Sequence, residues 1–442
     1  MGIRGLLMKR TETVSAAVVT LLLMGGTAVA QSVQPIPAFP GNALEPSAVG
    51  PEGTTVANRS RPDYDALGLR QGSFIIHPSL AVAGVYDSNI FATSSAAVSD
   101  FYADLAPSIA INSDWNRHAI GASFSEESKL YASHSSENVN NFNANAGGRY
   151  DIENQIYVVG AGAYTLTHED RSSPNAAFGV NPTEYKQSIG YLGFVHQPGR
   201  LGFRVDGTLV SYDYNNTTNG ATGATINQQF RDRIEYTIAP RISYEIIPGY
   251  RAFLRFVGND RQYNAIDPGV GVKRNSHGWE VDAGTAVEIT RLITGEIYVG
   301  YLEQDYQSPV LKSPQGVAFG GNLIWNITPL WSIKASASQS VAETDLAPAS
   351  SSTESNLSVS VEHELLRNVI LSGNAGYIHD SYNGVSRTDD TFLVGASAKY
   401  LLNRNLRLSA DLTYSSRSST STNFSNAAFD RLIAIVGVQV GF

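Results

Sequence analysis

Apolar and polar side chains alternate with a period of two residues along most of this chain. In the clearest stretch, 234–246, isoleucines and tyrosines alternate with charged residues, serine and threonine. Successive side chains of a β-strand point to opposite faces, so this period predicts strands with one apolar and one polar face. The alternation recurs from residue 73 onward, for example over 142–152, 279–289 and 406–414.

The connections between these stretches alternate between short and long. Short connections lie near residues 114–116, 153–154, 197–200, 248–249, 290–291, 328–329, 367–368 and 402–405. Long polar connections lie near residues 87–100, 127–138, 169–183, 214–229, 260–275, 304–315, 342–354, 380–390 and 416–428. Tight periplasmic turns and long outer loops are typical of outer-membrane barrels, with strands of about ten residues. We therefore predict an all-β fold, a transmembrane antiparallel up-and-down barrel of about 18 strands over residues 71–442.

Composition supports this class and excludes others. Charged residues make up only 16% of the chain, and cysteine is absent, which excludes a disulfide framework and cysteine-ligated metals. The net charge of −9 argues against a nucleic-acid partner. A soluble all-β protein would also alternate, but it would not require aromatic residues near the strand ends. An interfacial aromatic girdle is predicted from Trp115, Tyr150, Tyr157, Tyr244, Tyr250, Trp325, Trp331 and Tyr400.

The N-terminal region has the features of an export signal followed by a linker. Residues 1–30 predict a signal peptide, with a positive start, an apolar stretch at 14–24 too short to span a bilayer, and small residues at 28–30. An N-terminal membrane anchor is the alternative. Residues 31–70 are rich in Pro, Gly and Ser and predict a disordered periplasmic arm, or else a segment that enters and plugs the barrel. Both ends of the barrel then face the periplasm, and the predicted location is the cell outer membrane.

The last predicted strand has an apolar face that ends on Phe442. Gly437, Val440 and Phe442 match the C-terminal pattern read by barrel-assembly machinery, which we expect as a partner beside lipid and lipopolysaccharide. This strand is expected to close the barrel against the strand at 73–86.

Short motifs near the start of the barrel resemble a known family. They are RPDYDALG at 61–68, Ser-Phe at 73–74, YDSNIF at 86–91 and SDWNRH at 113–118. The sequence resembles the β-barrel porins of proteobacterial outer membranes. The resemblance implies an outer-membrane barrel. Some relatives are associated with exopolysaccharide export, which suggests polysaccharide-export components as further partners.

The polar faces predict what lines the lumen. Both signs of charge occur there, among many hydroxyl and amide side chains. The predicted pore-lining residues are Arg204, Asp206, Arg233, Glu235, Arg241, Glu245, Arg255, Glu280, Asp282, Glu288, Lys334, Lys399, Arg407 and Asp411. Such a face suits a porin-like channel that passes polar solutes or an exopolysaccharide chain. The alternative is a plugged structural or adhesive barrel that acts through its outer loops.

Three histidines at the rim are the candidates for enzyme chemistry. His134, His168 and His379 lie near loop ends beside serine or acidic residues, but neighbours along a strand point to opposite faces. We therefore predict no catalytic residues, no metal ligands and no cofactor. Loop aspartates are candidates for weak external cation binding, namely Asp260, Asp267, Asp305, Asp389 and Asp390.

Overall fold

Eighteen antiparallel strands follow one another around a single closed sheet. Each strand pairs with the strands before and after it in the chain. Their bounds are β1 Phe74–Asp87, β2 Asp100–Ser113, β3 Ala119–Tyr131, β4 Val139–Glu153, β5 Ile156–His168, β6 Glu184–His196, β7 Leu201–Tyr214, β8 Arg233–Ile247, β9 Tyr250–Tyr263, β10 Ser276–Ile289, β11 Ile293–Tyr306, β12 Gln315–Thr328, β13 Trp331–Glu343, β14 Ser351–Leu366, β15 Val369–Tyr382, β16 Thr388–Leu401, β17 Leu406–Ser419 and β18 Phe429–Gly441.

This computed structural model describes residues 54–289, 292–421 and 427–442. The predicted signal peptide, 1–30, and residues 31–53 of the predicted arm lie outside the described residues. Within those ranges, no helix is long and apolar enough to cross a membrane.

The first and last strands close the barrel. Strand β1 pairs with β18 from Ser79↔Gly441 to Asp87↔Ile433, so the predicted closing pair is confirmed. The predicted alternation of short and long connections also matches the observed strand order. The strands contain 13 to 16 residues, more than the ten or so expected, because they continue past the membrane into the outer loops.

The two faces of the wall differ as the period of two predicts. Side chains on the outward face are apolar and accessible, for example Val436 at 69% and Leu192 at 63% exposed. Inward side chains include Asp282 and Asp389, which are fully buried. The barrel therefore presents an apolar surface to lipid and keeps its charges inside.

The predicted aromatic girdle is largely outward, with one exception. Tyr150 and Tyr244 near the short turns are 61% and 50% exposed. Tyr157 is only 6% exposed and packs with Val159 and Tyr191 inside the barrel. Its assignment to the girdle is wrong, because residue 157 falls on the luminal set of alternate positions in β5.

Several shorter strands and turns lie outside the eighteen main strands. A short strand, Leu69–Gln71, pairs with the start of β1, and Thr217–Thr218 pairs with Thr225–Ile226 inside the long β7–β8 connection. Two 3-10 turns, Ser135–Glu137 and Gln229–Arg231, lie in long connections.

Residues 54–66, here called the mouth segment, lie at the short-turn end of the lumen. Val56 is 2% exposed and packs against Ile370 and Leu401. Its backbone N–H donates to Ser332 Oγ at 2.9 Å. This part of the predicted disordered arm is ordered against the inner wall, because it finds both an apolar contact and hydrogen-bond partners there.

The assignment of faces predicts the effect of adding charge at two neighbouring residues. Leu357, in the middle of β14, is 47% exposed on the outward face, whereas Ser358 faces the lumen beside Ser336. We expect Leu357→Arg to lower the unfolding free energy by about 2–4 kcal/mol, because it places a charge against the membrane interior.

Ser358→Arg is the matched control, with an expected change below about 1 kcal/mol because its new charge meets the wet lumen. Denaturant unfolding of the barrel in lipid vesicles measures both variants. Equal losses for the two neighbours would contradict the assignment of faces.

Candidate functional site in the barrel lumen

Three arginines form a row across adjacent strands on the luminal face. Arg241 on β8 lies directly opposite Arg204 on β7 and Arg255 on β9. Like charges in directly opposite cross-strand positions repel each other unless they are compensated. The row therefore requires acidic partners close by.

Each arginine of the row has such a partner. Arg204 Nε lies 2.7 Å from Asp206, and Arg255 lies 2.8 Å from Asp282. Arg241 reaches Glu296 on β11 at 2.9 Å. The row is thus neutralised pair by pair, and its guanidinium groups are held in fixed orientations.

Every predicted pore-lining residue lies on a luminal face. Further ion pairs join Arg233 to Glu235 at 2.7 Å, Glu245 to Arg251 at 2.8 Å and Lys334 to Glu362 at 2.6 Å. Glu280 lies 3.3 Å from Arg255. The other residues are Glu288 on β10, Lys399 on β16, and Arg407 and Asp411 on β17. That these residues line a conducting pore stays a prediction.

Luminal tyrosines have their ring faces covered by arginines. The guanidinium carbon of Arg233 lies 4.0 Å from the ring centre of Tyr212, and that of Arg255 lies 4.4 Å from Tyr298. Contacts of this kind are favourable and orient both groups. These ring faces are therefore occupied by protein groups.

The long connection 169–183, between β5 and β6, crosses the lumen at the long-loop end. On one side, Asp170 pairs with Arg431 of β18 at 2.9 Å, and the carbonyl of Ser172 accepts from Arg417 of β17 at 2.6 Å. On the other side, Asn175 Oδ1 accepts from Thr344 Oγ1 at 2.9 Å. The connection thus narrows the outer lumen by bridging opposite parts of the wall.

Two further ion pairs hold the base of loop 169–183. Glu169 pairs with Arg231 at 2.7 Å, and Arg171 pairs with Glu137 at 2.7 Å. All four side chains are at least nine-tenths buried. Removing one partner of such a pair leaves a buried charge uncompensated, which costs about 3–5 kcal/mol.

Two loop carboxyls respond oppositely to this environment. Burial acts to raise the pKa of Asp170, but Arg431 and the hydrogen bonds at Ser172 outweigh it and lower the pKa to about 2. Burial raises the pKa of Asp345 to about 6, although Arg231 opposes this shift. Asp170 therefore stays charged at neutral pH, whereas Asp345 titrates at a pH slightly below neutral.

The mouth segment narrows the short-turn end in a similar way. Arg59 and Arg61 both pair with Glu364, the second at 2.9 Å. The backbone N–H of Ala57 donates to Glu362 at 2.8 Å. Charged contacts thus restrict both ends of the lumen.

The histidines weighed for rim catalysis have other partners. His134 Nδ1 lies 2.8 Å from Asp100, His168 Nδ1 lies 3.0 Å from Asn141 Oδ1, and His379 Nδ1 lies 2.8 Å from Asp390. In a catalytic triad such a contact at Nδ1 orients the ring, and a nucleophilic serine hydroxyl must in addition lie within hydrogen-bond distance of Nε2.

The loop aspartates proposed for weak cation binding are partly engaged elsewhere. Asp267 pairs with Arg274 at 2.6 Å, and Asp389 pairs with Arg387 at 2.6 Å. Within the described ranges, no group of three or more acidic or histidine side chains is placed to hold a metal ion.

The inward-folded loop was not foreseen from the sequence. The alternation of short and long connections predicts that every long connection lies on the exterior. One sequence feature distinguishes this loop, because Glu169, Asp170 and Arg171 put three charges together at the start of a connection otherwise rich in Ser, Asn and Pro. Their partners are far away in the chain, so the sequence does not pair them.

A closed barrel with an apolar exterior and a charged interior defines an outer-membrane protein of the porin type. A family model described as Putative beta-barrel porin 2 matches residues 61–442. The chain belongs to this family and is a β-barrel of the outer membrane.

Solved structures with a similar fold come from Pseudomonas aeruginosa. OpdO is 11% identical, with 83% of this chain and 97% of that chain covered and a TM-score of 0.42. OccK1 (OpdK) is 9% identical, covers 83% and 99%, and has a TM-score of 0.43. A mutant of the ferric enterobactin receptor PfeA is 7% identical, covers 83% and 80%, and has a TM-score of 0.44. Comparison with curated proteins found no match.

The titration of Asp345 predicts an effect of pH on the outer mouth. Its pKa is higher in the folded protein than the ordinary 3.8, so the protonated form is favoured there. The resulting stabilisation is present at low pH and is lost as the pH rises through about 6. The charged groups acting on it are Glu169, Arg231 and Arg274. Because the narrowed arrangement, with Asp345 buried near Glu169, favours protonated Asp345, acidification should stabilise the narrow mouth. We therefore expect single-channel conductance to fall when the pH is lowered from 7 to 5.

Asp345→Asn should remove this dependence and give a low conductance already at pH 7. Asp305→Asn, an outward-facing residue of β11, is the control and should retain the pH response. Planar-bilayer recordings at both pH values make the measurement. An unchanged pH response in Asp345→Asn would show that another group controls the mouth.

Proposed function

We propose that this protein is a channel for small polar solutes whose outer mouth is narrowed by loop 169–183. The observation that carries the proposal is the polar, charged luminal face of an eighteen-stranded barrel. Side chains cannot fill a barrel of this strand number, so its interior holds water. The luminal Lys334, 43% exposed, and Arg204, 26% exposed, are consistent with such a wet interior.

Balanced charge argues for broad selectivity among polar solutes. The arginines of the luminal row each face a carboxylate, so neither sign dominates the middle of the pathway. A pore that selects strongly by charge instead presents rings of one sign. We therefore expect weak preference between small anions and cations.

An exopolysaccharide chain is a less suitable cargo for this lumen. A passing sugar chain benefits from accessible aromatic faces, on which its rings can stack. Here Arg233 and Arg255 cover the faces of Tyr212 and Tyr298. A deletion strain with normal surface polysaccharide would remove the export hypothesis, and a loss of that polysaccharide would favour it over small solutes.

The remaining alternative is a plugged structural or adhesive barrel. Loop 169–183 and the mouth segment at the two ends of the lumen are the observations in its favour. The contacts of loop 169–183 are polar, so groups that separate can be rehydrated by water in the lumen, whereas an apolar plug would be held by burial. A measurement of conductance distinguishes a channel from a plugged structural or adhesive barrel.

Lipid, lipopolysaccharide and the barrel-assembly machinery are the partners that we propose. The apolar outward faces support the first two. The outward Phe442 ring, 55% exposed, and the alternation along β18 support the third.

Planar-bilayer recording of the purified barrel tests the channel. We expect wild-type protein to conduct, and Asp170→Asn to increase the open fraction several-fold, because Arg431 then loses one loop partner while retaining Asp87 at 2.7 Å. The control is Asp213→Asn, an exposed carboxylate at the end of β7.

Absence of conductance from both the wild type and Asp170→Asn, with both correctly folded, would reject the channel in favour of the structural barrel. Equal open fractions for Asp170→Asn and Asp213→Asn would reject loop 169–183 as the narrowing element.

A further inference from the structure

The ladder between β12 and β13 is incomplete at its outer end. Their ladder stops at Gly320↔Ser338. Beyond that point, residues 315–319 of β12 and 339–343 of β13 are not paired with each other. Each stretch still pairs on its other side, with β11 and β14 respectively. Two stretches of equal length, five residues each, thus face each other across an open seam without pairing.

Residues 339–343, here called the inturned segment, lie on the luminal side of the wall. By the alternation along β13, Val341 belongs to the same face as Trp331, which is 40% exposed to the outside. Val341 is instead 5% exposed and packs against Leu302 and Ala318, which both face the lumen. The outward face of the segment therefore covers the inner face of β11 and β12.

Polar contacts from β9 and β11, which lie a few strands along the wall, hold the segment in place. Arg261 donates to the carbonyl of Val341 at 3.0 Å and pairs with Glu343. The hydroxyls of Tyr263 and Tyr306 donate to Glu343 at 2.6 and 3.1 Å. These four side chains, here called the latch, are Arg261, Tyr263, Tyr306 and Glu343.

The latched segment also covers a cavity in the lumen. Ser340 and Val341 form part of its lining. Polar groups that line it include Glu235, Asn259 and Gln304. This polar lining suits a small polar solute.

Two arrangements of the segment compete. In the latched position, Glu343 accepts hydrogen bonds from the latch. Residues 315–319 of β12 then have no ladder pairing with β13. Backbone groups at this edge lack the hydrogen bonds that a completed ladder would supply. Continuing the existing register would place Ala318 opposite Ser340 and would complete that ladder. Small residues at 335–338 precede the segment and offer little steric resistance to bending.

We infer that the inturned segment is a gate. It moves between the latched position, which covers the luminal cavity, and a ladder position, which closes the seam and uncovers the cavity. The inference rests on the proposed channel function only for its effect on conductance, since the movement itself is measured separately.

Engineered disulfides distinguish the two positions, and the absence of native cysteine removes background cross-linking. Ala318→Cys/Val341→Cys joins side chains that touch only when the segment is latched. Ala318→Cys/Ser340→Cys joins side chains that share the luminal face only when the ladder is complete. Both pairs contain the same first substitution, so each controls for the other.

We expect both pairs to cross-link in folded protein under mild oxidation, the latched pair more completely. Adding Glu343→Gln weakens the latch and should shift the equilibrium toward the ladder position about tenfold, which is the size of effect expected for hydrogen bonds to a charged group. The rate of Ala318→Cys/Ser340→Cys cross-linking should rise by the same factor. Asp305→Asn serves as the control for the added change. Heat-modifiable mobility on gels verifies that each variant is folded.

Cross-linking of the latched pair alone, even with Glu343→Gln, would show a static wall and overturn the gate. Failure of the latched pair to cross-link would overturn the inward position itself. In bilayers, the oxidised latched pair should conduct less than its reduced form, and the oxidised ladder pair should conduct more. If both cross-links form and neither changes conductance, the segment moves without controlling the pathway, and the gate is rejected while the channel stands.

Discussion

Backbone hydrogen bonding in lipid is the constraint on which the rest of this structure depends. A membrane offers no water to unpaired N–H and C=O groups, so strands can cross it only if the sheet closes on itself. The pairing of β1 with β18 supplies that closure. Once the sheet is closed, the alternation of side chains assigns every residue either to lipid or to the lumen. The apolar exterior and the charged interior are both consequences of this one requirement.

Closure leaves a wide interior, and the chain narrows it mainly with charged contacts. Loop 169–183 is tied to the wall through Asp170 and Glu169, and the mouth segment through Glu364. The arginine row along β7–β9 is neutralised in the same manner. Paired charges are compatible with water inside the barrel, whereas an apolar filling would exclude water. The choice of contacts therefore preserves a wet pathway while restricting its width.

The sequence predicts what is local and fails where distant parts of the chain meet. Alternation over 234–246 identifies the two faces of β8 because a strand fixes them within a few residues. The pairing of Asp170 with Arg431 joins residues 261 apart, and no short-range pattern encodes it. Val341 shows the limit most clearly. Its parity in β13 indicates the lipid-facing side, yet contacts with Leu302 and Ala318 place it inside.

The inturned segment shows how the closure constraint and the luminal charges compete within one strand. Pairing with β12 would satisfy the backbone of residues 315–319, while the latch satisfies Glu343 with Arg261 and two tyrosines. Neither position satisfies both sets of groups. A charged side chain released from the latch can be hydrated by the wet lumen, and the ladder hydrogen bonds gained at the same time favour the outward position. The latch must therefore be strong to hold the segment inward, and a modest weakening of it shifts the balance toward the completed ladder. A barrel whose wall is fixed by backbone pairing thus gains a movable part where that pairing is left incomplete.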